Sequence, residues 1–298
     1  MNNFIVLTDS TADIEKKFRK EVGLDYLMNT FTLDGKEFKA DLDWPQISPN
    51  NFYKKMMFGS RAITGTVTKE EVTKKVGKAF KDGLDVLYIA CSSKLSESVN
   101  VAKEYAHELL RKYPDRRFEC YDSLRSNYAL GLMAYHCQEM ANNGKTLDEV
   151  IEYLNLNRLK YQSWATAETL SYLAKSGRIR ARKAFFGNLF GVKPLIVSDV
   201  NGNNYAYNKV KGRKASLDEL VDEVVNRLEE PSKSIIFIAH ADIVKDAEYI
   251  KKEIEKKIQV KEIHISELGP IVGASIGPGS IVISFFGHEV TIKDHKEK

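Results

Sequence analysis

Phe4-Ile5-Val6-Leu7-Thr8-Asp9-Ser10-Thr11-Ala12-Asp13 opens with an unbroken apolar run and ends in a cluster of hydroxyl and carboxyl side chains. A short run without alternation reads as a strand buried on both faces, the habit of strands in parallel sheets. The Ser, Thr and Asp that follow are the residues expected to cap a helix, here one beginning near Asp13 and stopping at Gly23. The same unit recurs downstream. Thr68 and Glu71 have capping-box spacing ahead of Val72, Val76, Ala79 and Phe80, which share one helical face. Residues 86–90 form a second apolar run, followed by a helix striped by Val99, Ala102, Ala106, Leu109 and Leu110. Residues 117–121 read as a third strand, and residues 128–142 as a helix closing at Gly144. Strands separated by helices in this order predict an α/β architecture, its N-terminal part a mainly parallel sheet covered on both faces.

The second half has another texture. Thr146/Glu149 and Ser216/Glu219 have capping-box spacing, and each is expected to start a helix. Asn201-Gly202 lies between an apolar run at 194–197 and an alternating stretch at 205–210, a hairpin signal. Strands are expected at 234–240 and 260–265, and a terminal hairpin at 281–292 with Gly287-His288 as its turn. This mixture predicts an α+β C-terminal domain at 163–298 beside an N-terminal α/β domain at 1–162.

The 298 residues are ample for two cores. Lys and Arg number 45 against 41 Asp and Glu, a net +4 dispersed along the chain, which argues against a nucleic-acid binder. No apolar run reaches the ~20 residues of a membrane span. Residues 1–9 have no basic segment ahead of an apolar one, so a cytoplasmic protein without a signal peptide is expected. Cys91, Cys120 and Cys137 lack disulfide or zinc spacing and are expected to be buried thiols. His107, His136, His240, His264, His288 and His295 form no metal pattern.

Gly273-Ala274-Ser275-Ile276-Gly277 matches the G-x-S-x-G nucleophile elbow. An elbow needs a helix after it, and Pro278-Gly279 follows instead. A serine esterase using Ser275 is therefore the alternative reading, and a glycine-rich turn the simpler one. Nucleotide motifs are absent. Two hydroxyl-rich loops remain: residues 62–68, with Thr64 and Thr66, and residues 91–98, with Ser92, Ser93, Ser96 and Ser98. Each leads into a predicted helix, whose free N–H groups favour an anion. Neither carries an Arg fork or metal-binding carboxylates, which suits a carboxylate better than a polyphosphate.

Taken together these segments resemble the DegV family of bacterial fatty-acid-binding proteins from end to end. The opening D-S-T-A-D at 9–13, Thr64-Gly65-Thr66-Val67-Thr68, Ser92-Ser93-Lys94-Leu95-Ser96-Glu97-Ser98 and Asp122-Ser123 fall in the family's order. So do Ser176-Gly177-Arg178-Ile179, Gly191-Val192-Lys193-Pro194-Leu195 and the closing stretch at 269–279. The resemblance implies two α/β domains holding one long-chain fatty acid such as palmitate between them. It implies that Thr64 and Ser96 bind the carboxylate and, as in some members of the family, that the bound acid is presented to a separate fatty-acid kinase, the binding protein itself having no catalytic residue; no cofactor or metal is expected. The chain departs from the family pattern where Ser275 replaces a His, Gly65 a Ser, Val67 a Pro and Glu97 a Gly. Ser275 is then expected to join Thr64 and Ser96 as a third neutral hydroxyl at the head group. Lys209, Lys211, Arg213 and Lys214 resemble a basic family stretch and read either as a kinase-docking surface or as a solvated strand edge.

Overall fold

The computed structural model describes residues 3–181 and 191–293, so His295 lies outside the described residues. The opening run forms β1 (Phe4–Asp9), central in a four-stranded parallel sheet with β2 (Asp25–Leu27), β6 (Asp85–Ala90) and β7 (Phe118–Asp122), ordered β2-β1-β6-β7. Asp9 caps a single 3-10 turn over Ser10–Ala12, and the helix α1 (Lys16–Val22) starts only after it. Helices α3 (Lys69–Lys81) and α4 (Ser98–Leu110) cover one face of this sheet through Val72, Val76, Val99 and Ala102. Half of the box at Thr68 forms: its hydroxyl accepts from Glu71 N at 3.2 Å. The Glu71 carboxylate turns inward instead and accepts from Met28 N.

Between these units a three-stranded antiparallel sheet forms from β3 (Asn29–Leu33), β4 (Lys36–Lys39) and β5 (Ala62–Val67), with α2 (Pro49–Met57) beside it. The Thr64 stretch is thus a strand, not a loop, because β3 supplies its hydrogen-bonding partner at long range.

The second half is a six-stranded mixed sheet, ordered β10-β9-β8-β13-β11-β12. Its strands are β8 (Tyr161–Thr166), β9 (Val192–Ser198), β10 (Asn204–Lys211), β11 (Ile235–His240), β12 (Glu262–Glu267) and β13 (Ile281–Phe286). The Asn201-Gly202 hairpin is present, joining β9 to β10. The terminal hairpin is not. β13 inserts between β8 and β11, and the residues after it return to other segments, with Gly287 N donating to Lys160 O and Val290 N to Leu159 O. The Ser216 box also fails. Helix α8 (Arg213–Arg227) begins three residues earlier behind Gly212, and the Ser216 hydroxyl donates to Arg213 O at 2.7 Å. The box at Thr146 is complete at the start of α6 (Leu147–Asn157).

Helix α5 (Asn127–Asn142) is buried on nearly every side, its polar Asn127 and Gln138 included. It packs on β1 and on β8 and β13, so one apolar core runs from the first sheet to the second. The expected division at 162 falls inside β8, which lies wholly in the second sheet.

Candidate functional site

A cavity opens between the halves. Its walls come from β5, the loop into α4, the six-stranded sheet, α7 (Ser171–Ser176) and α10 (Pro270–Ile276). Leu95, Leu173, Ile196, Ile271, Ile276 and Val282 form its apolar lining. Thr64, Ser96 and Ser275, far apart in the chain, all reach this one cavity.

Each hydroxyl is in a different state. Among the described residues no hydrogen bond occupies the half-buried Thr64 Oγ1. Ser98 Oγ accepts from Asn29 Nδ2 at 3.3 Å and Val67 N at 3.5 Å, which fills its lone pairs. Its own proton therefore goes to Ser96 Oγ, 2.9 Å away, which also accepts from Ser98 N at 3.2 Å. With both lone pairs taken, the Ser96 O–H is left as a donor for an incoming acceptor. Ser275 lies near the end of α10 rather than in a turn, and its hydroxyl donates to Ile271 O at 3.0 Å. It must rotate off that carbonyl to donate elsewhere. Helix α10 is held by Tyr53, whose hydroxyl donates to Leu268 O at 2.7 Å. A Cβ at Gly273 would stand 2.2 Å from that hydroxyl oxygen, so glycine is required there for α10 to approach α2.

The reading from sequence missed Arg178. It lines the same cavity, its Nε donating to Leu95 O at 3.2 Å and its Nη1 to Ser176 O. Among the described residues nothing takes up its Nη2. A fixed cation thus stands with the hydroxyls, and nothing local around Ser176-Gly177-Arg178-Ile179 reveals which cavity it borders. Glu97 is exposed at the rim, where its Oε2 accepts from Asn100 Nδ2 at 2.7 Å. That bond ties its negative charge to α4. Burial and the neighbouring Asp9 push the Cys91 thiol far above its ordinary range, so this lining residue is neutral and unreactive.

Among the described residues the esterase geometry is not there. An elbow serine stands on a strand-to-helix turn beside a histidine, whereas Ser275 is helical and no histidine is among the described residues that line the cavity. The basic segment is partly neutralised. Arg213 Nε pairs with Asp246 at 2.7 Å and Lys214 with Asp218 at 2.7 Å. Among the described residues no cluster of three or more His, Cys, Asp or Glu is placed to hold a metal, and no helix is long and apolar enough to cross a membrane.

The family model described as "Uncharacterised protein, DegV family" matches residues 3–288. A DegV domain-containing protein of Clostridium perfringens is 33% identical over 287 residues, 96% of this chain and 98% of its own length. A DegV lipid binding protein from Thermotoga maritima superposes with a TM-score of 0.83 at 26% identity, covering 97% of this chain and 100% of its own. A DegV family protein from Thermus thermophilus, described for its fatty acid binding, gives a TM-score of 0.85 at 23% identity with the same coverage. At that identity the last likeness is one of fold.

Proposed function

This chain belongs to the DegV family, and from that premise we propose that it is a carrier holding one long-chain fatty acid such as palmitate between its halves. One observation carries the reading: Thr64, Ser96, Ser275 and Arg178 converge on a cavity that Leu95, Leu173, Ile196, Ile271, Ile276 and Val282 also line. The carboxylate takes the donors of Thr64 and Ser96, with Ser275 after rotation, and Arg178 offsets its charge. The acyl chain lies against Leu173, Ile196, Ile271 and Val282, each buried CH₂ contributing ~0.8 kcal/mol. The description of the Thermotoga maritima relative as lipid binding supports this. Nothing in this role makes or breaks a bond. In the same reading the two-domain division falls just ahead of β8.

Mass spectrometry of an organic extract of the purified protein tests the proposal. One long-chain acid per chain is expected; an extract without fatty acid, from a protein that also fails to bind added palmitate, overturns it. Because hydroxyl and guanidinium groups do not titrate near neutrality, palmitate affinity is expected to be nearly flat between about pH 6.5 and 8. Ser275→His is expected to tighten binding on the acid side of its unperturbed pKa of ~6.5. A tenfold loss by the parent across that window, about 1.4 kcal/mol, would reveal a titrating contact and defeat the assignment.

The bound acid is then presented to a separate fatty-acid kinase. A second depression shares Thr64, Arg178 and Ser275 with the cavity and is bordered by Ile63, 55% exposed. Met57 and Phe58, 63% and 88% exposed, follow Met56 on its rim, an apolar surface of the kind that partners cover. Phe58→Ser is expected to slow phosphorylation of bound palmitate by the organism's own kinase while leaving palmitate affinity intact. An unchanged rate for both Phe58→Ser and Ile63→Ser would remove this surface from the proposal.

A further inference from the structure

The cavity wall formed by the six-stranded sheet is not apolar throughout. Ala165 on β8 stands opposite Ile196 on β9 and Val282 on β13, and these three face the core shared with α5. Trp164, Val197 and Ile283, one residue along, face the other core, as alternation requires. Two residues along from the apolar row, the same face carries serine on all three strands. Ser163 pairs with Ser284, and the β8–β9 register continued by one step sets Ser198 beside Ser163. Ser275 lies at the other end of this wall, because α10 runs through residues 277–280 into β13 at Ile281, opposite Thr166. The serine row is three residues further in, roughly 10 Å at the rise of a strand.

Asn127 spans part of the row and is used up there. Its Oδ1 accepts from Ser284 Oγ at 2.8 Å and Ala129 N at 3.1 Å. Its Nδ2 donates to Ser163 Oγ at 2.8 Å and Ser126 Oγ at 3.4 Å. Two capacities are left over. Among the described residues the Ser163 hydroxyl proton has no acceptor, and Ser198 Oγ has no partner at all. Both serines line the cavity, at 4% and 2% exposure. An unpartnered hydroxyl so deep is costly, whereas valine would have continued the apolar wall without that cost.

We infer that the acid this cavity takes carries an oxygen substituent on its chain, a hydroxyl or keto group, seated against Ser163 and Ser198. The inference rests on the fatty-acid reading above and narrows its ligand class to oxygenated long-chain acids. The deep pair contributes donors and acceptors, and an unsubstituted chain leaves both unmet.

Isothermal competition with stearate and its monohydroxy derivatives at successive mid-chain positions tests this on the full chain. At least one hydroxystearate is expected to bind about tenfold tighter than stearate, the effect of one well-placed hydrogen bond. Ser198→Ala is expected to erase that preference while binding stearate at least as tightly as the parent, since it removes an unmet hydroxyl, which also shows that the variant folds. Stearate binding as tightly as every hydroxystearate would mean that water satisfies the serines, and would overturn the inference while leaving the carrier role standing. A preference surviving in the Ser163→Ala/Ser198→Ala double variant would overturn it too. If neither stearate nor any hydroxystearate binds, the fatty-acid reading falls and takes this inference with it.

Discussion

Arg125→Met is expected to cost ~1–3 kcal/mol or more of folding stability, the range for leaving a buried acceptor unsatisfied. Arg125 is completely buried in the segment between β7 and α5. Its Nε donates to Tyr161 O at 2.5 Å, its Nη1 to Leu124 O at 2.8 Å and Asp199 O at 3.1 Å, and its Nη2 to Leu159 O at 3.5 Å. The planar fork thus ties the first half to the start of β8 and to the turn between β9 and β10. Burial lowers its pKa to about 10, so the guanidinium is held charged at neutral pH against a desolvation cost that these carbonyls offset. Methionine fills the volume but removes all four of these bonds, leaving Leu159 O and Asp199 O with only their other donors, Val290 N and Gly202 N. Arg125→Lys is expected to recover only part of the loss, because an ammonium cannot reproduce the fork. Urea unfolding monitored by fluorescence and by circular dichroism measures both variants. An Arg125→Met midpoint equal to the parent's would show that the clasp contributes nothing to stability.

Thr64→Val and Ser96→Ala are each expected to weaken palmitate binding by ~1.5–3 kcal/mol, the range for hydrogen bonds to a charged group. The two variants test different parts of the site. Thr64 sits on β5, where valine preserves shape and strand propensity, so only its unoccupied hydroxyl is removed. Ser96→Ala removes the free donor and also the acceptor for Ser98 Oγ and Ser98 N. Some loss of order at the start of α4 is therefore expected for Ser96→Ala and none for Thr64→Val. A competition titration in which both variants bind palmitate like the parent would remove the carboxylate from this end of the cavity.

The parts of the molecule legible in the sequence are those whose cause is local. The β1 run, the complete cap at Thr146, the Asn201-Gly202 turn and the stripes on α3 and α4 each depend on residues a few positions apart. The hydroxyls of Thr64, Ser96 and Ser275 were equally visible, since residue type and motif order name them without any geometry. Where a local pattern had a distant competitor, the distant partner won. Glu71 leaves its box for Met28, and the terminal segment gives up its hairpin so that β13 can pair on both sides.

By itself, then, the sequence determined the locally specified elements, such as β1, β6, α3, α4 and α6, and the hydroxyl-bearing residues themselves. Tertiary structure alone decided that β5 pairs with β3, that Arg178 borders the cavity, that Arg125 clasps the halves, and that serines from three strands line up beneath the apolar row. Sheet register and side-chain convergence depend on contacts between residues tens to hundreds of positions apart, and the free energy of those contacts exists only once the two sheets have closed on α5.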